Sequence, residues 1–413
     1  MKRLHADWLA APALQRWLAA LSEDGEAARV VGGAVRNSLL GVPVKDVDVA
    51  TTRLPDAVVR LAEREGFKPV PTGIEHGTVT VVADGVPYET TTLRADIETD
   101  GRHARVAFGR DWRADAERRD FTINALYAEA DGAVVDLVGG LPDIEARAVR
   151  FIGDADARIV EDYLRILRFF RFHAHYGRGR PDAEGLRAAA RHKGGLERLS
   201  PERVWSELRR LLEAPDPRIT LLWMRQTGVL SAVLPETERW GIDAVAPLIG
   251  TEQAHGWSPD PMLRLAAMVP PDAERMVALA ERLRLSNAEG ERLAAWASAS
   301  PVPPSADEAA LARRLYCDGT APVLDRLRLA LANARGRAAT DDGALMEATS
   351  LTRLIAFAEG WDRPAFPLKG RDLLDAGMAP GPAVGERLAA LEAEWIERGF
   401  RGSREEWLAR LGP

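Results

Sequence analysis

One cysteine, Cys317, stands among 413 residues. That scarcity excludes an internal disulfide framework and any multi-thiolate zinc or iron–sulfur site, and it suits a reducing cytoplasm. Lysine is scarce too, five of 55 basic residues. Arginine and alanine are abundant instead, as a G+C-rich coding sequence produces, so the arginine count alone says nothing about phosphate binding. No apolar run approaches the ~18 residues needed to cross a bilayer, and no membrane partner is expected. The N-terminal segment lacks a continuous apolar stretch and a small-residue cleavage site, so it does not read as a signal peptide. Trp8, Leu9, Leu14, Trp17 and Leu21 recur there at helical spacing. Net positive charge is also missing. A formal charge of −7 excludes a uniformly basic nucleic-acid coat and leaves room only for a local basic groove.

What is present is an ordinary globular balance, 46% hydrophobic and 28% charged residues. The length suggests two or three domains. Residues 26–140 mix strand and helix signals. ARVVGG, VKDVDVAT, GTVTVVADGVPYETTTL and GAVVDLVGG are rich in Val and Thr. TVTVVA and VPYETTT, joined at Asp84-Gly85, form a hairpin candidate. From about residue 141 the apolar period becomes helical and stays so. Ser300–Ser305 and Met378–Pro382 are linker candidates. No internal repeat or low-complexity tract appears.

Val30-Val-Gly-Gly-Ala-Val-Arg-Asn37 predicts a short strand, a Gly32-Gly33 turn and a helix. Such a junction offers free N–H groups to a phosphate, although many Gly-Gly turns are only turns. Lys45-Asp-Val-Asp-Val49 predicts a strand on which Asp46 and Asp48 share one face while Val47 and Val49 enter the core. Two carboxylates side by side repel unless a cation lies between them, and an all-oxygen donor set suits Mg²⁺. Standing alone, the pair could equally be a solvated strand face.

The string GGAVRNSLLGVPVKDVDVATT resembles the first motif of the template-independent RNA nucleotidyltransferases of the polymerase-β superfamily, in the class of bacterial CCA-adding enzymes and poly(A) polymerases. The resemblance implies an α+β chain. Its polymerase-β-like head would carry a small mixed or antiparallel sheet, followed by an all-helical neck, body and tail. It implies two-metal nucleotidyl transfer, in which an RNA 3′-hydroxyl attacks the α-phosphate of a nucleoside triphosphate and pyrophosphate leaves, with Asp46 and Asp48 holding two Mg²⁺ ions. Gly32, Gly33 and Arg36 would meet the nucleotide. Glu89 in YETTT is the candidate third catalytic carboxylate, with an exposed hairpin glutamate as the alternative. Members of the family usually carry Asp where this chain has Asn37.

Glu117-Arg-Arg-Asp-Phe-Thr-Ile-Asn-Ala125 resembles the second motif, with Arg119 the expected phosphate contact and Asp120 and Asn124 ribose or structural partners. Asp136–Asp143 resembles the third, a hinge between head and neck. In Glu161–Phe172, Leu164, Leu167 and Phe170 predict an apolar helix stripe, and Asp162, Arg165, Arg168 and Arg171 wind along another side. By the resemblance Asp162 and Arg165 read the incoming base. A carboxylate accepts from an exocyclic amine and an arginine donates to the neighbouring ring acceptor. Cytosine and adenine offer that pair; uracil and guanine present a carbonyl to the carboxylate. Arg168 and Arg171 are expected to face the base or the triphosphate. Leu199–Leu208 predicts a neck brace, with Ser200 as N-cap, Pro201 at N1 and Glu202 in the first turn. Thr227–Glu236 also resembles the family body, so the resemblance covers about residues 26–236.

Within that class, Pro71–Thr80 reads EHGTVT rather than a basic poly(A)-polymerase segment, and Thr92–Arg102 resembles the flexible loop linked to switching from C to A addition. Both favour CCA addition to the tRNA acceptor end from CTP and ATP; the cytoplasm and no obligate protein partner are expected besides. No His-Asp dipeptide occurs, so no metal phosphohydrolase domain is expected. The alternatives are poly(A) or CC-only addition, a silent RNA-binding module, or a small-molecule nucleotidyltransferase. The expected division is 1–140 head, 141–212 neck, 213–300 body and 301–413 tail. Residues 187–214 hold seven Lys/Arg against four Asp/Glu, a local basic excess suited to tRNA phosphates or simply a solvated helix face.

Overall fold

The computed structural model describes residues 2–100 and 103–411. The chain forms two compact units, Met1–Pro235 and Glu236–Pro413. The first holds a seven-stranded sheet in the order β3-β4-β5-β2-β1-β8-β9. Its strands are β1 (Ala28–Val31), β2 (Asp48–Thr51), β3 (Lys68–Gly73), β4 (Thr78–Ala83), β5 (Val86–Thr92), β8 (Leu126–Ala128) and β9 (Val134–Asp136). All neighbours are antiparallel except β2 and β5, which makes the sheet mixed, as expected. The β4–β5 hairpin turns at Asp84 and Gly85, both at positive φ (51° and 83°), the backbone that a tight Asp-Gly hairpin turn requires. Val79, Val81 and Ala83 alternate into the core.

Helix α1 (Pro12–Leu21) covers one face of this sheet. Leu14, Trp17, Leu18 and Leu21 are buried on it, and the Trp17 indole donates to Thr90 Oγ1 at 3.0 Å. Trp8, expected on the same helix, lies before it and donates to Ser38 Oγ at 3.0 Å. α2 (Gly33–Leu40) and α3 (Pro55–Arg64) follow β1 and β2. Thr92–Arg102 departs from expectation. Arg94–Asp100 is strand β6, paired with β7 (His103–Phe108) in a separate two-stranded sheet, while Gly101 and Arg102 lie outside the described residues.

After β7 come α4 (Trp112–Glu117), α5 (Gly140–Ala146), α6 (Ala155–Glu161), α7 (Leu164–Tyr176), α8 (Ala183–His192), α9 (Pro201–Leu212), α10 (Arg218–Gln226) and α11 (Val229–Val233). Asp136–Asp143, expected as a hinge, is a capped helix start. The Asp136 carboxylate accepts from the N–H groups of Gly139, Gly140 and Leu141 at 2.9 Å. A Cβ on Gly140 would meet the Thr122 carbonyl oxygen at 2.4 Å, so only glycine lets α5 approach this closely. Ser200 holds the N-cap position of α9, but its Oγ meets no partner among the described residues. The start of α9 rests on Pro201 and Glu202 without the expected side-chain cap.

The second unit is helical. Leu311, Leu315, Val323, Leu327, Leu331, Leu351 and Leu354 form its core, which Val302 joins. The Ser300–Ser305 stretch is therefore anchored to that core rather than a free linker. Arg264 and Glu252 are buried together, with Nη2 donating to Oε2 at 2.6 Å. Removing one partner strands the other charge in an apolar setting. Arg264→Met is therefore expected to cost about 3–5 kcal/mol of unfolding free energy, and Arg264→Met combined with Glu252→Leu much less. Denaturant titration of the three proteins measures this; equal losses in the single and double variants would contradict it.

Candidate active site

β1 runs into Gly32, which adopts φ 71° and precedes α2. A Cβ there would be strained by that φ, and it would sit 3.6 Å from the Asn124 carbonyl oxygen and 3.9 Å from Arg119 Nη1. The turn thus leaves the α2 N-terminus open beside Arg119. One strand over, Asp48 opens β2 and stands in register with Glu89 on the parallel strand β5. Val49 and Thr90, the next pair, are fully buried on the opposite face.

Asp46 is not on that strand. It is exposed, in the loop before β2, and Val47 is only half-buried. The two aspartates still sense each other. Burial pushes the Asp48 carboxyl up to about 6, facing Glu89 and then Asp46 push the same way, and only Arg119 opposes them. This is a carboxylate short of positive charge. Among the described residues, no three His, Cys, Asp or Glu side chains are gathered so as to hold a metal ion, so Glu89 is not assembled as a third ligand. The all-oxygen set of two aspartates nonetheless fits a hard cation that keeps water and substrate phosphates as its other ligands.

Arg119 is braced from behind. Its guanidinium meets Asp115 at 3.0 Å and lies 5.6 Å over the Tyr127 ring. Asp115 also takes Arg118 at 2.6 Å and the Tyr127 hydroxyl at 2.8 Å. Burial raises the Asp115 carboxyl, but the two arginines more than offset it and hold it below the usual range.

Arg36 reaches the same cleft but is already occupied. It donates to Asn124 Oδ1 (2.5 Å), to the Tyr176 hydroxyl (2.8 Å) and twice to Asn37 Oδ1 (2.9 and 3.1 Å). Asn37 in turn donates Nδ2 to the Pro43 carbonyl at 2.9 Å, which ties down the loop carrying Asp46. An aspartate at position 37 could not make that second bond.

At the other end, the predicted continuous helix is broken. α6 ends at Glu161, Asp162 is extended (φ −152°, ψ 107°), and α7 begins at Leu164. Leu164, Leu167 and Phe170 are buried as expected. Asp162 and Arg165 are not paired with each other. Asp162 accepts from the Leu164 N–H at 3.0 Å and from Arg203 at 2.7 Å. Arg165 donates to Glu161 at 2.5 Å and to the Arg158 carbonyl at 2.8 Å. Arg168 forms a two-bond pair with Asp120 (2.8 and 2.5 Å). Arg171 donates its Nε to Glu207 at 2.5 Å and is not among the residues that line the cleft.

One cavity of about 450 Å³ has Gly32, Gly33, Arg36, Asp48 and Arg119 toward one end and Asp162, Arg165, Arg168 and Arg203 toward the other; Asp46, Glu89 and Arg171 are not in its lining. Arg203 was missed in the sequence. It is the third residue of α9, where the helix dipole disfavours a cation, and that placement implied a carboxylate partner.

Two family models match the chain. Residues 28–150 match "Poly A polymerase head domain" and 181–240 match "Probable RNA and SrmB- binding site of polymerase A". CCA tRNA nucleotidyltransferase 1, mitochondrial, of Mus musculus is 34% identical over 93% of this chain and 86% of its own length. The CCA-adding enzyme of Limosilactobacillus fermentum is 32% identical over 92% of this chain and 91% of its own. The crystal structure of the Bacillus stearothermophilus CCA-adding enzyme in complex with CTP superposes with a TM-score of 0.70 at 26% identity, covering 97% of this chain and 96% of that one.

Proposed function

The chain belongs to the family of CCA-adding tRNA nucleotidyltransferases, and we propose how its own residues carry out that family's reaction. It is a transferase that adds C, C and A to the 3′ end of tRNA from CTP and ATP without a template strand, releasing pyrophosphate. The single cavity that joins the glycine turn and Asp48 to Asp162 and Arg165 carries the residue assignment.

Asp46 and Asp48 hold a divalent cation, Mg²⁺, with Glu89 adding negative charge across the register. When bound, Mg²⁺ supplies acidification of the attacking 3′-hydroxyl and stabilisation of the leaving oxygens. The Gly33 N–H, at the open end of α2, donates to the triphosphate together with Arg119, while Gly32 shapes the turn and gives its own N–H to the Leu126 carbonyl at 3.0 Å. Asp162 accepts the exocyclic amine of C or A while Arg165 donates to the ring nitrogen beside it. Arg203 and Glu161 hold these two side chains in place. Arg168 serves the same wall through Asp120. Residues 187–214 take acceptor-stem phosphates in the neck (141–212), with the head at 1–140, the body at 213–300 and a tRNA-contacting tail at 301–413. No helix among the described residues is long and apolar enough to cross a membrane, and the scarcity of cysteine favours the cytoplasm.

The metal assignment is tested by thermal melting. A carboxyl whose folded pKa is raised to about 6 costs stability as pH rises through the interval above the usual 3.8. Mg²⁺ removes that cost only where Asp48 is ionised. Addition of Mg²⁺ is expected to raise the melting temperature more at about pH 7.5 than at about pH 5, and Asp48→Ala to erase the difference. A pH-independent Mg²⁺ effect would contradict the assignment. The substrate is tested by extension. A tRNA lacking its last three nucleotides is extended by three, whereas an unstructured RNA of equal length is not. Long A tails on both would mark a poly(A) polymerase.

A further inference from the structure

Among the described residues, Arg36, the Gly-turn arginine, makes no ion pair with a carboxylate; its acceptors there are two asparagines and a tyrosine hydroxyl. One of them, Tyr176, lies on the last turn of α7, and its ring centroid is 4.0 Å from the Arg36 guanidinium carbon. Another, Asn124, donates to Asp120 at 2.9 Å, and Asp120 accepts both bonds from Arg168, eight residues before Tyr176 on the same helix. The bonds form a closed circuit. It leaves α2 through Arg36, crosses Asn124 and Asp120, enters α7 at Arg168, and returns from α7 through Tyr176. The two attachment points on α7 are about 12 Å apart along the helix axis, so the circuit fixes both position and tilt.

α2 begins at the turn assigned to the triphosphate, and α7 carries Arg165 in its first turn, three residues after Asp162. We propose that this circuit is a ruler: Tyr176 and Asn124 are positioning residues that set the distance between the triphosphate end and the base-reading end of the cleft, and so determine how strictly C and A are chosen over U and G. The proposal rests on the base-reading role of Asp162 and Arg165. With the phosphates anchored at one end, a base is rejected only if its carbonyl is forced against the Asp162 carboxylate. A helix free to slide by a few tenths of an ångström relaxes that contact, and the penalty on U falls with it.

Tyr176→Phe tests this, because it keeps the ring over Arg36 and removes only the hydroxyl acceptor. Asn124→Asp breaks the next joint, since a carboxylate cannot donate to Asp120. Single-nucleotide extension of a tRNA lacking C, C and A is measured with CTP and with UTP, alongside thermal melting. Each variant is expected to raise KM for CTP and the UTP:CTP incorporation ratio by about three- to tenfold, the scale of one hydrogen bond, with kcat for CTP within about twofold. Wild-type KM and ratio in both folded variants would overturn the proposal, as would a fall in kcat with KM and ratio unchanged. Should one variant fold poorly, the other carries the test. A wild-type protein that incorporates UTP as readily as CTP would instead defeat the base-reading assignment itself.

Discussion

Asp48→Ala is expected to lower CMP incorporation into tRNA by about 10³-fold or more, while tRNA affinity stays within about twofold. The first number follows from what the side chain is for. Asp48 is the one carboxylate of the cleft that opens a core strand, with Glu89 in register beside it and the Asp46 loop before it. Burial and the facing Glu89 push its pKa up, so the ionised carboxylate lacks a sufficient countercharge there. Alanine removes the repulsion and the ligand together, so the fold tolerates the change and the chemistry does not. The second number follows from what surrounds Asp48: the charged groups acting on it are Glu89, Arg119 and Asp46, none of them in the segments assigned to tRNA. Gel-shift and extension assays on the same preparation separate the two; a variant of wild-type activity would refute the metal assignment.

Arg165→Ala is expected to shrink discrimination against UTP by about 10–100-fold, with CTP incorporation falling less. The guanidinium is held in place by Glu161 and by the Arg158 carbonyl, just as Arg203 and the Leu164 N–H hold Asp162. Neither reader has to find its position when the nucleotide arrives. If Asp162 and Arg165 read the base as proposed, rejection of uracil needs both, since a carbonyl meeting the Asp162 carboxylate leaves two acceptors facing each other without a donor. Unchanged selectivity in Arg165→Ala would remove this residue from base reading. Asp162→Ala is the companion variant, and Arg203→Gln should move selectivity in the same direction through Asp162.

Much of this was legible in the chain because local chemistry dictates it. Asp84-Gly85 has few alternatives to a tight hairpin turn. The spacing of Leu164, Leu167 and Phe170 admits only a helix face, and the Gly32-Gly33 turn feeding a D-x-D segment singles out the site. What stayed hidden depends on contacts between distant segments. Helical periodicity runs straight through Asp162, with no glycine or proline to stop it, and the break there accompanies its bonds to Arg203 and to the Leu164 N–H. Strand β2 begins two residues later than the D-x-D pattern suggests, which leaves Asp46 on a loop that Asn37 secures through Pro43. Arg171 and Arg168 share a spacing and part company only because Glu207 faces one and Asp120 the other. Arg36 belongs to the glycine motif by sequence, yet its partners Asn124 and Tyr176 lie 88 and 140 residues away.

The most direct measurement is the sequence of nucleotides added to three tRNA transcripts, one lacking C, C and A, one ending in the first C and one ending in CC, each given Mg²⁺ and all four nucleoside triphosphates. The cleft as assigned predicts C, C and A on the first, C and A on the second, A alone on the third, and then a stop. U or G at any of these positions, or an adenylate tail that continues past the third nucleotide, would contradict it.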